Sequence, residues 1–155
     1  TSLLLIYNVR MPYFGYKGKY KPKNYSKYEG DPTKIIYRSL LERKFMVHCD
    51  NNPNILMWSS EEVIIPYISP KDNKYHRYFM DFKVKYADKN GKIGVMLIEV
   101  KPSSKTQKPK PAKKSKRYIE EVFEWGVNEA KWKAASEYCK DRGWQFKIMT
   151  EKELR

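Results

Sequence analysis

The stretch Leu97-Ile98-Glu99-Val100-Lys101 closes an apolar run in the middle of the chain. A β-strand alternates its side chains between two faces. Glu99 and Lys101 therefore project from one face. Ile98 and Val100 project from the other face and can anchor the strand in a core. The sequence predicts an acid and an amine side by side at the carboxyl end of a buried strand, although a lone Glu-x-Lys is more often just a solvated pair.

A second strand is predicted in the aromatic-rich segment Arg77–Tyr86, which carries Asp81. The connection Ala87–Lys92 contains Asn90-Gly91, a strong signal for a tight hairpin. A hairpin here brings Asp81 close to Glu99. An unpaired carboxylate among aromatic residues costs free energy, so Asp81 needs a metal or a basic side chain as partner. Two carboxylates and a lysine are the minimum set that can hold a divalent metal and activate water against a phosphodiester.

The net charge of +14 is concentrated in two stretches. Residues 101–117 carry eight Lys or Arg and no acid, and residues 1–30 carry six against one acid. Clustered positive charge interleaved with tyrosine is typical of proteins that bind nucleic acid. The alternatives are a soluble surface or a patch for an anionic membrane. The candidate phosphate-contacting side chains are Lys19, Lys21, Lys23, Lys105, Lys108, Lys110, Lys113, Lys114, Lys116 and Arg117.

The length predicts a single domain at residues 31–155, with an N-terminal extension and a basic Tyr/Lys-rich arm at residues 1–30. The arm has no helical or strand period and is expected to be extended, or else to pack on its own domain. Residues 102–114 mix prolines with lysines and predict a mobile basic loop. We expect Met11 to be the natural start; alternatively, residues 1–10 add an edge strand. No apolar stretch is long enough to span a membrane.

The pattern of elements predicts an α/β fold in the order α-β-β-β-α-α-β, with a central mixed β-sheet flanked by helices. Asp31-Pro32 predicts a helix start, and that helix is expected to run to about Cys49. Gly126–Asn128 predicts a break between two later helices. Gln145–Met149 is a final strand, expected to lie parallel to the strand of Glu99. Both cysteines are expected to be buried thiols.

This order of elements resembles the PD-(D/E)xK nuclease superfamily, which has the restriction-endonuclease-like fold. The resemblance implies that Glu42 is the acid of the first helix and Asp81 the acid of the hairpin. It implies that Glu99 and Lys101 form the Glu-x-Lys pair. Met80 stands where the proline of the motif would be, which weakens the motif more than the chemistry. Its position beside an apolar stripe would otherwise make Glu42 a solvated surface residue.

Longer segments resemble the head completion nucleases of T-even-type tailed bacteriophages. The matching segments are Lys21–Pro32, Tyr37-Arg38-Ser39, Arg77–Asp81, Glu99–Pro102 and Lys131–Ala135. The resemblance implies a metal-dependent DNA endonuclease that acts on double-stranded DNA at the packaged head, before tail joining. It implies a location in the host cytoplasm during assembly or in the virion, and partners among portal or head–tail connector proteins.

The resemblance also implies roles for the site residues. Asp81, Glu99 and the carbonyl of Val100 would bind Mg²⁺ or Mn²⁺, and Glu42 would complete the site directly or through a water. Lys101 would position the attacking water or stabilise charge on the phosphorane. Two alternatives stay open: a transposon-end or junction-cleaving nuclease of the same superfamily, and a non-catalytic DNA-binding virion structural protein.

Overall fold

Eight strands and two helices make up the fold in the computed structural model, which describes residues 16–111 and 115–154. The strands are β1 (Gly18–Lys19), β2 (Ile36–Tyr37), β3 (Ile55–Ser60), β4 (Ile64–Ile68), β5 (Tyr75–Phe79), β6 (Phe82–Ala87), β7 (Ile93–Val100) and β8 (Gln145–Met149). The helices are α1 (Leu40–Asn51) and α2 (Lys116–Arg142).

The central sheet has the strand order β3-β6-β7-β8, in which β7 and β8 are parallel and the other pairs antiparallel. The sheet is therefore mixed, and the final strand lies parallel to the strand of Glu99, both as predicted. Ile98 packs in the core cluster of α1, whereas Leu97 packs in the cluster of α2. Because neighbouring strand residues point to opposite faces, the two helices cover opposite faces of the sheet.

The hairpin between β6 and β7 forms as the sequence predicts. The carboxylate of Asp88 accepts hydrogen bonds from the backbone N–H groups of Asn90 (2.8 Å) and Lys92 (2.9 Å). Gly91 adopts φ 76°, a left-handed conformation that glycine takes without steric cost. The register pairs Phe82 with Ile98, so the residue before β6 lies beside the residue that follows Ile98.

The predicted start of the first helix is wrong. Asp31 closes a turn instead, because its carboxylate accepts hydrogen bonds from the N–H and hydroxyl groups of Thr33. The next residues form β2, which pairs with β1, and Ile36 is half exposed. Helix α1 begins only after Ser39, whose hydroxyl accepts a hydrogen bond from the N–H of Glu42.

The predicted break in the C-terminal helices is also wrong, because α2 runs for 27 residues without interruption. Ser115 caps its start and Gly143, at φ 70°, ends it. An interior glycine costs a helix only about 1 kcal/mol relative to alanine, so Gly126 does not end this one. Asn128 is buried rather than placed at a helix start. The predicted element order therefore contains one helix too many and too few strands.

The segment predicted as one strand around Asp81 is divided into β5 and β6. The backbone N–H of Met80 donates to the carbonyl of Val63, and the N–H of Glu61 donates to the carbonyls of Met80 and Asp81. These bonds turn the chain out of β5, which pairs with β4, and into the central sheet. Asp81 therefore occupies a bend at a strand start instead of a strand interior.

Residues 16–30 pack against the rest of the chain, which is the alternative to an extended arm. Tyr20 and Tyr28 are buried in the core cluster of α1, where both rings contact Trp58 edge-on. Asp50, at the end of α1, accepts hydrogen bonds from the hydroxyl of Tyr20 (2.8 Å) and from the N–H of Lys23 (2.7 Å). These contacts fix the segment along the carboxyl-terminal half of α1.

Both cysteines are buried free thiols, as predicted. Within the described residues, no helix is long and apolar enough to cross a membrane. The predictions for residues 1–10 and for Met11, and the predicted DNA contacts of Lys113 and Lys114, lie outside the described residues.

Candidate active site

Asp81 lies where the chain enters the central sheet, beside the end of β7. Its Oδ2 accepts a hydrogen bond from the backbone N–H of Val100 at 2.9 Å, which ties the carboxylate to the Glu-Val-Lys segment. Loss of hydration raises the pKa of Asp81 well above its ordinary value, and the neighbouring charges of Glu99 and Glu42 raise it further. The hydrogen bond from Val100 and the charge of Lys101 oppose this rise in the pKa of Asp81 but do not cancel it.

Glu99 and Lys101 lie side by side on the face of β7 that α2 covers. The Lys101 Nζ is 3.7 Å from Oε1 of Glu99 and 5.8 Å from the ring centroid of Trp132. The indole N–H of Trp132 donates a hydrogen bond to Oε2 of Glu99. Glu99 is 6% exposed, so the carboxylate is held away from bulk water between a lysine and an indole. The predicted meeting of Asp81, Glu99 and Lys101 is present in the structure.

Glu42 reaches the same region from α1 but is directed elsewhere. Its carboxylate accepts hydrogen bonds from the N–H of Arg38 (3.2 Å) and the hydroxyl of Ser39 (3.4 Å). The hydroxyl of Ser39 in turn accepts a hydrogen bond from the N–H of Glu42, so Ser39-x-x-Glu42 forms a variant of the capping box in which the glutamate bonds the N–H one residue before the cap. Burial raises the pKa of Glu42, and these hydrogen bonds oppose the shift. Glu42 lies close enough to Asp81 to raise the pKa of Asp81, while its own carboxylate is hydrogen-bonded at the start of α1.

No three His, Cys, Asp or Glu side chains within residues 16–111 and 115–154 come together as a ready-made metal site. Asp81 and Glu99 supply carboxylate oxygens, the ligands that hard divalent cations prefer. Their mutual repulsion is what a bound cation would relieve. The assignments of Asp81, Glu99, Glu42 and the Val100 carbonyl as metal ligands stay predictions.

Comparison with known proteins identifies the family. Residues 52–151 match the family described as TnsA-like endonuclease N terminal. The matched segment contains all four strands of the central sheet, and β1, β2 and α1 lie before it. The chain belongs to the TnsA-like endonuclease family. It is also 46% identical over 145 residues to the "Head completion nuclease" of Enterobacteria phage T4, across 90% of this chain and 94% of that protein.

Membership of this family confirms the predicted restriction-endonuclease-like fold and the predicted nuclease activity. A TnsA-like endonuclease is a hydrolase that acts on the phosphodiester bonds of DNA, and nucleases with this fold use divalent metal ions. The enzyme carries its Asp81 and Glu99 on the β6–β7 hairpin, inside the segment that matches the family. Glu42 lies before that segment.

Arg38 is a component of the site that sequence analysis missed. Its guanidinium forms an ion pair with Glu61, which raises the pKa of Arg38, and it interacts with the charges of Glu42 and Asp81. Arg38 therefore brings positive charge to the α1 side of the site, as Lys101 does on the α2 side. The Arg38–Glu61 contact joins two loops, so no local pattern signals it.

Trp132 and Tyr78 were also missed. Trp132 is 33 positions away from the glutamate that it binds, and the sequence carries no signal for such a contact. The hydroxyl of Tyr78 is buried, and within the described part of the chain it has no hydrogen-bond partner. Burial raises the pKa of Tyr78, and the charges of Glu99 and Asp81 add to the shift. The side of the nuclease site that faces α2 is thus lined by aromatic side chains.

The candidate DNA-contacting side chains that the structure describes are all exposed, and they lie in separate places. Lys105, Lys108 and Lys110 line one pocket beside α2, close to the catalytic candidates. The backbone N–H of Lys23 is instead bound to Asp50, at the opposite end of α1 from Glu42. The eight described side chains are Lys19, Lys21, Lys23, Lys105, Lys108, Lys110, Lys116 and Arg117.

Proposed function

We propose that this chain is a Mg²⁺- or Mn²⁺-dependent endonuclease that cuts double-stranded DNA during completion of a phage head, after packaging and before tail joining. The observation that carries the proposal is the contact of Asp81 with the Val100 N–H, one residue from Glu99 and from Lys101. The name of the T4 relative supports the role in head completion. The place of action is then the host cytoplasm during assembly, or the virion.

The carboxylates of Asp81 and Glu99, with the carbonyl of Val100, would hold the cation. The cation, when bound, supplies Lewis-acid polarisation of the phosphate and lowers the pKa of a bound water. Glu42 would contribute through a water, because its carboxylate is engaged at the start of α1. The Oε2 atom of Glu99 accepts a hydrogen bond from the indole of Trp132, and this bond holds the Glu99 carboxylate in a fixed orientation.

Lys101 would position the attacking water or stabilise negative charge on the pentavalent phosphorane. Its Nζ lies 3.7 Å from Glu99 and faces the Trp132 ring, so its range of positions is limited. A fixed donor where charge develops lowers the barrier more than a freely moving one, and removal of such a group costs about 10²–10³-fold in rate.

The direct test is nicking of supercoiled plasmid with Mg²⁺, with Mn²⁺ and with chelator, using wild type and Lys101→Met. We expect cleavage that needs a cation and that Lys101→Met reduces at least about 100-fold, with plasmid binding in chelator largely retained. Lys140→Met, an exposed lysine near the end of α2, is the matched control. Wild-type cleavage in chelator, or full activity of Lys101→Met, would refute the proposal.

The lysines of the basic loop would contact backbone phosphates without reading sequence. Each phosphate contact contributes close to one unit to the slope of log affinity against log salt. Replacing Lys105, Lys108 and Lys110 by Gln together should therefore reduce that slope by about three units. An unchanged slope would place the phosphate contacts elsewhere on the protein.

The second candidate is a nuclease that cleaves transposon ends or branched junctions, which the TnsA-like family description favours. The substrate separates the two. A head completion enzyme should cut generic duplex ends, whereas the second candidate should prefer branched DNA or one end sequence. Contacts with portal or head–tail connector proteins stay a prediction.

A further inference from the structure

A pocket of about 300 Å³ lies between the basic loop and α2. Trp125, Asn128 and Glu124 line it on the helix side, and Lys105, Lys108 and Lys110 line it on the loop side. None of these side chains has a part in the proposed hydrolysis of the phosphodiester. The pocket therefore needs a separate explanation.

The pocket adjoins the catalytic candidates through a chain of direct contacts. The ring of Trp125 meets the ring of Trp132 edge-on at 5.5 Å between centroids. The indole N–H of Trp132 binds Glu99, and the ammonium of Lys101 faces the same ring. A DNA strand whose phosphate lies at the ammonium of Lys101 therefore has the pocket within reach of a neighbouring nucleotide.

The pocket has room for a base. At the roughly 30 Å³ that a water molecule occupies in the liquid, its volume corresponds to about ten water molecules. A base enters a pocket of this kind only after it has left the stack of the duplex.

The chemistry of the lining suits a nucleotide. An indole face stacks any base, and proteins that bind single strands combine such aromatic faces with lysines for the phosphates. Asn128 is 7% exposed, and the hydrogen bonds found in residues 16–111 and 115–154 include none to its side-chain amide. Its amide and the carboxylate of Glu124 offer a donor and acceptors for the edge of a base. A second acid of the lining, Glu121, is paired with Arg117.

We propose that this pocket binds one unpaired nucleotide next to the phosphodiester that is cut. Its base stacks on Trp125 and bonds Asn128, and its phosphate contacts the lysines of the loop. The enzyme would then favour DNA with unpaired bases, such as frayed or overhanging ends, over closed duplex. This inference rests on the proposed function, because it assigns the substrate class of that same site.

The test is a binding measurement in chelator, so that it does not depend on cleavage. Two probes have the same sequence, one a blunt duplex and the other a duplex ending in unpaired 2-aminopurine. We expect wild type to bind the second probe at least about fivefold more tightly, since stacking of one base on an aromatic side chain contributes about 1–3 kcal/mol. We also expect stacking on indole to quench the 2-aminopurine emission.

Trp125→Leu should reduce the preference to near one and remove most of the quenching. Phe123→Leu is the matched control, because Phe123 is an exposed aromatic residue of α2 that lies two positions away, on another side of the helix. The control should keep both the preference and the quenching. If Trp125→Leu does not fold, the proposal is tested with Asn128→Ala and with the 2-aminopurine emission of the wild-type complex. We expect Asn128→Ala to bind the unpaired probe with a smaller preference over the blunt duplex than wild type does.

Equal affinity of wild type for the two probes, or a preference that survives in Trp125→Leu, would overturn the proposal. Plasmid nicking with Mg²⁺ is measured in parallel. Cation-dependent nicking without a preference refutes the pocket alone. A preference without any nicking refutes the proposed function and leaves the nucleotide site standing.

Discussion

Asp50, near the end of α1, and Asp81, where the chain enters the central sheet, differ in how their charge is compensated. Asp50 is 1% exposed and accepts hydrogen bonds from Tyr20, Lys23 and Asn24. Burial alone would raise the pKa of Asp50, but these bonds hold it below its ordinary value. Asp81 accepts one backbone N–H and has acids as neighbours, and its pKa is raised.

This difference indicates that the Asp50 carboxylate is structural and that the Asp81 carboxylate is available to bind a ligand. Asp50 is satisfied by the protein itself and joins the N-terminal segment to α1. Asp81 would be stabilised by a cation, and until one binds its charge is a cost to the fold. Perturbed carboxyl groups of this second kind concentrate at functional sites. Separate substitutions of Asp50 and Asp81 therefore test whether one aspartate is structural and the other binds a cation.

Asp81→Asn should give the largest effect on activity. The amide has the shape of the carboxylate and can still accept the hydrogen bond of the Val100 N–H, but it loses the negative charge that a cation needs. We expect plasmid nicking to fall at least about 100-fold, more than the 10–100-fold typical for the loss of a residue that only supports a ligand. Asp141→Asn, an exposed acid on α2, is the control, and normal nicking by Asp81→Asn would contradict the assignment.

Asp50→Ala should give the largest effect on stability. It leaves the Tyr20 hydroxyl and the Lys23 N–H without their partner, and each buried group left unsatisfied costs about 1–3 kcal/mol. We expect the free energy of unfolding at neutral pH to fall by about 2–6 kcal/mol, measured by urea titration. Lys23→Ala, which keeps the backbone bond, is the control and should change stability little.

The two aspartates should affect the pH dependence of stability with opposite signs. The pKa of Asp50 is lowered on folding, so its contribution is present above its ordinary value of 3.8 and is lost as the pH falls through the folded pKa. The pKa of Asp81 is raised, so the metal-free protein loses stability as the pH rises from 3.8 through the folded pKa. In metal-free protein, Asp81→Asn should therefore raise the melting temperature at pH 7 and leave it unchanged below pH 3.8. The same melting temperature for wild type and variant at pH 7 would contradict the raised pKa.

Trp132→Phe should have an intermediate effect on activity. The variant keeps a ring for Lys101 and Trp125 but loses the N–H that orients Glu99. Loss of such a supporting hydrogen bond typically costs 10–100-fold in metal affinity or activity, and we expect a loss of about that size with a weaker apparent affinity for Mg²⁺. Trp144→Phe, just beyond the end of α2, is the control. A Trp132→Phe enzyme with wild-type Mg²⁺ dependence would show that the contact is only structural.

Substitutions of Glu42 should have the smallest effect on activity. They distinguish a role in capping α1 from a role in binding the cation. Glutamine can replace glutamate in a capping box, so Glu42→Gln should keep stability, whereas Glu42→Ala should cost about 1 kcal/mol in urea unfolding. If Glu42 acts on a cation only through a water, Glu42→Gln should also lose less nicking activity than Asp81→Asn. Equal losses in the two variants would make Glu42 a direct ligand.

The sequence predicts the hairpin side of the site because its signals are local. Asn90-Gly91 and the alternation around Glu99 are enough to bring Asp81 and Lys101 to one place. The start of α1 could not be read in the same way, since Asp31-Pro32 and Ser39-x-x-Glu42 both have the form of a helix start. The pairing of β1 with β2 decides between them, and that pairing is a tertiary contact.

The α2 side of the site could not be predicted for a related reason. Trp132 and Trp125 lie on an amphipathic helix, where aromatic residues usually belong to the core. Only the packing of α2 on the face of β7 that carries Glu99 shows which of them meets the site. The pocket beside Trp125 likewise needs the loop and the helix together.

The most direct test of the central claim is a titration of the metal-free enzyme and its variants with Mn²⁺, followed by electron paramagnetic resonance, with a short duplex present. We predict a Mn²⁺ site in wild type that Glu42→Gln keeps and that Asp81→Asn and Glu99→Gln each abolish or weaken at least about tenfold. A site that is unchanged in both Asp81→Asn and Glu99→Gln would show that these carboxylates do not share an ion.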